Sequence, residues 1–187
     1  MFFRRLALGA VLVALAAPLA QAAFAADPTP PAEADAPKPV VKKFGVWATR
    51  CITDPKDTKQ QECLAFVNVG IAESKQPILS IFIGYIPKKT DGGMFIGMMT
   101  PLGSLLQPGV GVAVDNAEKS RFVLPFVFCV PTGCQAERPL PPESLKAFKA
   151  GKEMDVIFIH AAKGQIKAPV KLDGFGAAIA SLPKPKA

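Results

Sequence analysis

Four cysteines, Cys51, Cys63, Cys129 and Cys134, constrain this chain more than any other feature. What they become depends on the redox compartment, and the first residues bear on that. The opening "MFFRRLALGAVLVALAAPLAQAAFAADP" places Arg4 and Arg5 ahead of an apolar run over residues 6–17, followed by Ala20-Gln21-Ala22 and Ala23-Phe24-Ala25. A basic start, a short apolar stretch and an Ala-x-Ala exit form the pattern of a secretory signal peptide, too short for a comfortable membrane span. Residues 1–25 are therefore expected to be removed on export. No cysteine precedes Cys51, so the cleavage site offers nothing to a lipid anchor. The expected location is periplasmic or secreted.

Disulfides persist in such compartments, and an even count of cysteines favours two bridges. Three pairings exist, of which the sequential one, Cys51 with Cys63 and Cys129 with Cys134, closes the shortest loops. A four-thiolate zinc site normally shows two-residue spacing, whereas eleven residues separate Cys51 from Cys63. A catalytic dithiol is usually a Cys-x-x-Cys at a helix start. "CVPTGC" instead holds four intervening residues, with Pro131 and Gly133 making a tight turn. The cysteines read as staples, the Cys51–Cys63 loop stabilising the fold by about 3 kcal/mol and the shorter loop by less.

After the leader, "DPTPPAEADAPKPVVKK" is dense in Pro and Ala without apolar periodicity, and residues 26–43 are expected to form an extended linker. One domain then spans residues 44–182, and residues 183–187 form a frayed tail. Strand signals dominate the domain. "KFGVWATRC" is β-prone, with Phe44 and Val46 on one face and Trp47 on the other; Asp54, Pro55 and Asp57 break it. "CLAFVNV" alternates Leu64 and Phe66 against Ala65 and Val67. "PILSIFIGYI" is apolar throughout, as at a sheet centre. "GGMFIGMMT" follows the turn-forming "KKTDGG", and "GVGVAVD" follows "LQPG". "RFVLPFVFC" contains Pro125, which makes it an edge strand or a bulged one. "MDVIFIH" and "QIKAPVKL" flank "AAKG", a hairpin signal with Gly164 suited to positive φ.

Two segments read as helical. "PPESLKAFKAG" has prolines before its first turn, Leu145 and Phe148 three apart and Gly151 as a stop. "DGFGAAIASLP" places Phe175, Ala178, Ile179 and Leu182 on one face, with Asp173 as the cap and Pro183 ending it. Many short strands with frequent Gly and Pro turns predict an all-β fold, an antiparallel sandwich or closed barrel carrying two short helices and stapled by two disulfides.

Candidate chemistry is sparse. His160 is the single histidine, at the end of a strand and without an evident partner to orient it. Ser104 in "PLGSLL" lacks the Gly-x-Ser-x-Gly elbow. Asp54 and Asp57 are explained as turn residues, and Asp115-Asn116 as a loop. "GYIPKKTDGG" lacks the ending of a phosphate loop. Met94, Met98 and Met99 raise copper, because thioethers suit Cu(I), but Met94 and Met98 share a strand face that Met99 does not, which favours core packing. No catalytic residue, cofactor or metal is assigned.

The balance of 22 Lys plus Arg against 15 Asp plus Glu falls to 20 against 15 once Arg4 and Arg5 leave with the leader. The resulting positive charge suits an anionic surface, but the lysines are scattered, and solubility explains them more simply. A single Trp and a single Tyr make a poor base-stacking platform, so nucleic acid is not an expected ligand.

Taken in order, "FGVWATRC", a second cysteine at Cys63, "TPLGSLLQPGVGVAVD", "PFVFCVPTGCQAERPL", "KAGKEMDVIFI" and "VKLDGFGAAIASL" resemble the invasion-associated locus B proteins of Gram-negative alphaproteobacteria. The likeness spans residues 44–182. It implies a periplasmic or outer-membrane-associated β-sandwich with Cys51, Cys63, Cys129 and Cys134 as bridge positions, Trp47 packing near the first bridge, and turns at Gly109 and Gly133. Val46 departs from the family's opening motif, which often carries a polar or acidic residue there. The family name records an invasion phenotype rather than a reaction, so no catalytic residue carries over. The expected function is that of a non-enzymatic envelope module binding a protein, envelope or host-surface partner. A small hydrolase of an envelope polymer is the alternative.

Non-reducing mass spectrometry of the exported protein, digested to peptides, is expected to place the mature N-terminus near residue 26 and to recover all four cysteines in cross-linked peptides. Four free thiols, or an intact mass that retains the leader, would overturn the assignment of compartment.

Overall fold

A computed structural model of the chain describes residues 38–54, 61–70, 77–86 and 93–184. The expected signal peptide, most of the linker, residues 88–92 of the "KKTDGG" turn and the end of the tail lie outside the described residues. Alternation of apolar and polar side chains does in space what it predicts along the chain, because successive strand residues point to opposite sheet faces. Seven strands form one sheet: β1 (Val40–Phe44), β2 (Trp47–Thr53), β3 (Gln61–Gly70), β4 (Pro77–Tyr85), β5 (Met94–Thr100), β8 (Phe126–Val130) and β9 (Gly133–Pro139), in the order β1-β2-β3-β4-β5-β9-β8. Four more, β6 (Val110–Val114), β7 (Phe122–Leu124), β10 (Glu153–His160) and β11 (Gly164–Lys171), form a second sheet in the order β11-β10-β6-β7. Every pairing within the two sheets is antiparallel. One core joins their facing sides, with Ile81, Ile96 and Met98 from the first and Val110, Val156 and Phe158 from the second.

The apolar β4 occupies the centre of the larger sheet. Leu79, Ile81 and Ile83 are fully buried on its inner face, while Phe82 on the outer face lies across β5, where a side chain at Gly97 would collide with its ring. Met94 and Met98 face the core and Met99 is half-buried on the opposite side, in keeping with packing. Both disulfides join residues directly opposite one another in antiparallel ladders. Cys51–Cys63 ties β2 to β3 with Cα atoms 4.1 Å apart, and Cys129–Cys134 ties β8 to β9 at 4.0 Å. This is the sequential pairing that closes the shortest loops.

Three local expectations are corrected. "KFGVWATRC" is not one run: Gly45, at φ 59°, and Val46 turn the chain so that Phe44 pairs with Trp47, and residues 40–43, read as linker from their proline-rich surroundings, belong to β1. "RFVLPFVFC" is not one strand either. Pro125, which has no N–H to donate, is where the chain leaves β7 in the smaller sheet and enters β8 in the larger, with a register shift between Phe126 and Phe128. Finally, Asp173 does not cap the second helix. That position is held by Gly174 at φ 81°, where any side chain would strike the Phe44 carbonyl.

Helices α1 (Pro142–Ala150) and α2 (Phe175–Ala180) join the sheets at one end. Phe175, Ala178, Ile179 and Leu182 are buried, as their helical spacing predicts. Trp47, fully buried on β2, meets Phe175 edge-on at 5.0 Å between ring centroids; Phe175 meets Phe148 of α1 at 5.6 Å, and Phe148 meets Phe122 of β7 at 6.1 Å. The chain of rings therefore runs from one sheet, through both helices, to the other. The Trp47 Nε1–H also donates to the Lys171 carbonyl of β11 at 3.0 Å, so one side chain fastens β2 to the opposite sheet. The resemblance placed this residue near the first disulfide, and its ring and hydrogen-bond partners instead belong to α2 and β11.

Trp47→Phe is expected to lower stability by about 2 kcal/mol, from lost ring volume and an unpaired carbonyl. Urea unfolding should show a lower midpoint at unchanged slope. A midpoint equal to that of the parent would refute the role given to the indole.

Candidate interaction surface

Among the described residues, His160, Ser104, Asp115 and the four cysteines are engaged in holding the structure, while Asp57 lies outside the described residues. His160 ends β10, and its ring is held from both sides: the Ala162 N–H donates to Nδ1 at 3.1 Å, which leaves the proton on Nε2 to be donated to the Leu102 carbonyl, also 3.1 Å away. Ser104 is buried, its Oγ 2.9 Å from Thr100 Oγ1 and 2.9 Å from the Pro101 carbonyl. Ser104 and His160 do meet, but through backbone, as an isolated bridge. Flanking bonds, Leu105 N–H to the Ile159 carbonyl (2.7 Å) and Ala161 N–H to the Gly103 carbonyl (2.8 Å), complete the clamp. The Asp115 carboxylate accepts N–H bonds from Lys152 and Glu153 at 3.0–3.2 Å, tying the turn after β6 to the start of β10. All four sulfurs are paired with one another, so no set of thiolates is left for zinc.

The outer sheet faces carry two grooves. One, of about 490 Å³ on the smaller sheet, includes Asp155, Arg121 and Lys167 in its lining. Asp155 is its one carboxylate among the described residues, nearly buried and paired with Lys167 Nζ at 2.9 Å. The other, of about 330 Å³ on the larger sheet, is lined among the described residues by Arg50, Leu64, Phe66, Asn68, Ser80, Ile81 and Phe82, none of them an acid. Neither presents the two convergent carboxylates that hydrolysis of a glycan requires.

A different feature stands out at the sheet edges. An edge strand exposes unpaired N–H and C=O groups, and proteins usually blunt it with lysines, proline or shortness. β1 carries Lys42 and Lys43; β11 carries Lys167, Lys171 and Pro169; β7 has three residues and runs into Pro125. β8 has the bulge beside Phe126 but no charge, and its last four residues are exposed, Val127 at 55% and Phe128 at 47%. The Cys129–Cys134 bridge, across the hairpin from the turn at residues 131–132, ties this exposed strand covalently to β9.

Beside it lies the loop of residues 101–109, which the His160 clamp fixes at one end. Its other end turns at Gly109 (φ 69°), where a Cβ would come within 2.7 Å of Val123 Cγ1. Thr100 Oγ1 donates to the Cys134 carbonyl at 3.3 Å, anchoring the loop's start to the β8–β9 hairpin. So anchored, the loop leaves Leu102, Leu105 and Leu106 exposed. The motif reading reached Ser104 and missed these leucines. The signal that could have found them was a Leu-rich loop between turn-forming residues.

A family model described as invasion associated locus B (IalB) protein matches residues 47–183. Among solved structures, the crystal structure of invasion associated protein B from Bartonella henselae is similar in fold, with a TM-score of 0.63 and 20% identity over 75% of this chain and 92% of that one. No curated protein gives a significant match.

His160→Ala should release the loop: hydrogen exchange is expected to quicken at Leu105 and Ala161, at a cost of about 1 kcal/mol in stability. Unchanged exchange at both amides would show that the imidazole does not hold the loop.

Proposed function

This chain belongs to the invasion associated locus B protein family, and from that premise we propose that it serves in an exported compartment as a non-enzymatic module that docks a macromolecular partner on β8 and the neighbouring leucine loop. The observation that carries this reading is the contrast among the described edge strands: β8 is uncharged and long enough to pair, with four of its five residues exposed, and a disulfide ties it to β9. Strand addition to such an edge draws affinity from main-chain hydrogen bonds and specificity from side chains alternating beside it. Pre-ordering by the bridge reduces the entropy lost on docking. Export is supported by the leader pattern and by disulfides that an oxidising space maintains. The absence of an enzymatic role is supported by Ser104 and His160, whose polar atoms are engaged in holding the loop. The similar Bartonella protein is named for invasion, and the reading takes the cell envelope as the place where contact is made.

Immobilised protein with both disulfides formed, exposed to envelope extract, is expected to retain a partner that Val127→Lys and Phe128→Lys lose and that Val41→Lys, on the opposite edge, keeps. Equal retention by all the variants would sink the assignment of β8.

A further inference from the structure

We infer that the partner docked on β8 is a second copy of this chain, paired antiparallel through its own β8 about a two-fold axis; the inference rests on the reading of β8 as the docking edge. Charge is the first argument. Residues 122–136 contain no Asp, Glu, Lys or Arg, although the whole chain carries a net charge of +7. Two such segments meet without setting like charges opposite one another and without burying an ion, each of which would oppose pairing.

Closure also favours a second copy. An edge of one copy that pairs with a different edge of the next generates an open array, whereas an edge that pairs with itself closes as a dimer. The other edges discourage the open choices. Pairing β8 with β1 brings in Lys42 and Lys43; pairing with β11 brings in Lys167, Lys171 and a proline; β7 is three residues long. β8 is the complement for β8 that adds no charge and no proline.

Side-chain placement agrees. Beyond the bulge, Phe128 and Val130 pair with Gln135 and Gly133, and Cys129 pairs with Cys134, so Phe128 and Val130 share one face of the sheet and Cys129 takes the other. In a two-fold pairing centred within residues 127–130, each of these meets an apolar side chain or a cystine from the other copy.

Sedimentation equilibrium of the purified chain with both disulfides formed is expected to give a dimer. Val127→Lys and Phe128→Lys should raise the dissociation constant at least about tenfold, since each sets an ammonium against an apolar strand. Circular dichroism should be unchanged, because both side chains are exposed, and Val41→Lys should dimerise as the parent does. Hydrogen exchange at residues 126–130 should slow as protein concentration rises. A monomer at tens of micromolar, or a dimer indifferent to both lysines, overturns the inference. If the parent is monomeric yet its lysine variants lose a different envelope protein, β8 remains the docking edge and the second copy is excluded as its occupant.

Discussion

The contact between Trp47 and Phe175 is the join on which the two-sheet arrangement depends. Sheets share a core because their inner faces are apolar, yet apolar faces alone do not dictate how two sheets are aligned. The rings of Trp47, Phe175, Phe148 and Phe122 form a continuous series from the larger sheet, through α2 and α1, to the smaller one. Each edge-on or tilted pair adds about 0.5–1.5 kcal/mol beyond its burial. The indole N–H adds direction, because a bond to the Lys171 carbonyl fixes β2 against the end of β11. Gly45 and Gly174 let the backbones approach closely enough at this end for the rings to meet.

The two disulfides act on strands in different situations. Cys51–Cys63 links neighbouring strands inside the larger sheet, where β2 and β3 also have buried side chains such as Trp47, Thr49, Ala65 and Val67. There the bridge adds to stability that burial already supplies. Cys129–Cys134 links the sheet to a strand whose side chains are largely in solvent. It closes a short loop, so its effect on the unfolded chain is the smaller of the two. Its consequence is local: an apolar edge is kept extended. The same hairpin packs against Thr100, which begins the loop that His160 clamps, so edge and loop are positioned by one connected set of bonds. Function, on this reading, comes from a presented surface, and the polar groups resembling catalytic parts are the means of presenting it.

Much of this architecture follows from local chemistry that can be read along the chain. Strand side chains repeat every two residues, so Ala65 and Val67 had to share a face, which the fold buries, and helical spacing put Phe175, Ala178, Ile179 and Leu182 together. Cysteine count and an export-type leader pointed to bridges. What stayed hidden depended on partners far along the chain. Pro125 announced an interruption, but nothing local says that the residues before it pair with β6 and those after it with β9. Pro125 also marked the run as an edge strand or a bulged one, and β7 and β8 are both edges, with the register shift in β8, but nothing local says which sheet each would border. Face and periodicity are short-range properties set by backbone geometry. Sheet order is set by which strands close loops and bury area together, and the tertiary fold alone decided that this run would divide between two sheets and leave residues 127–130 in solvent.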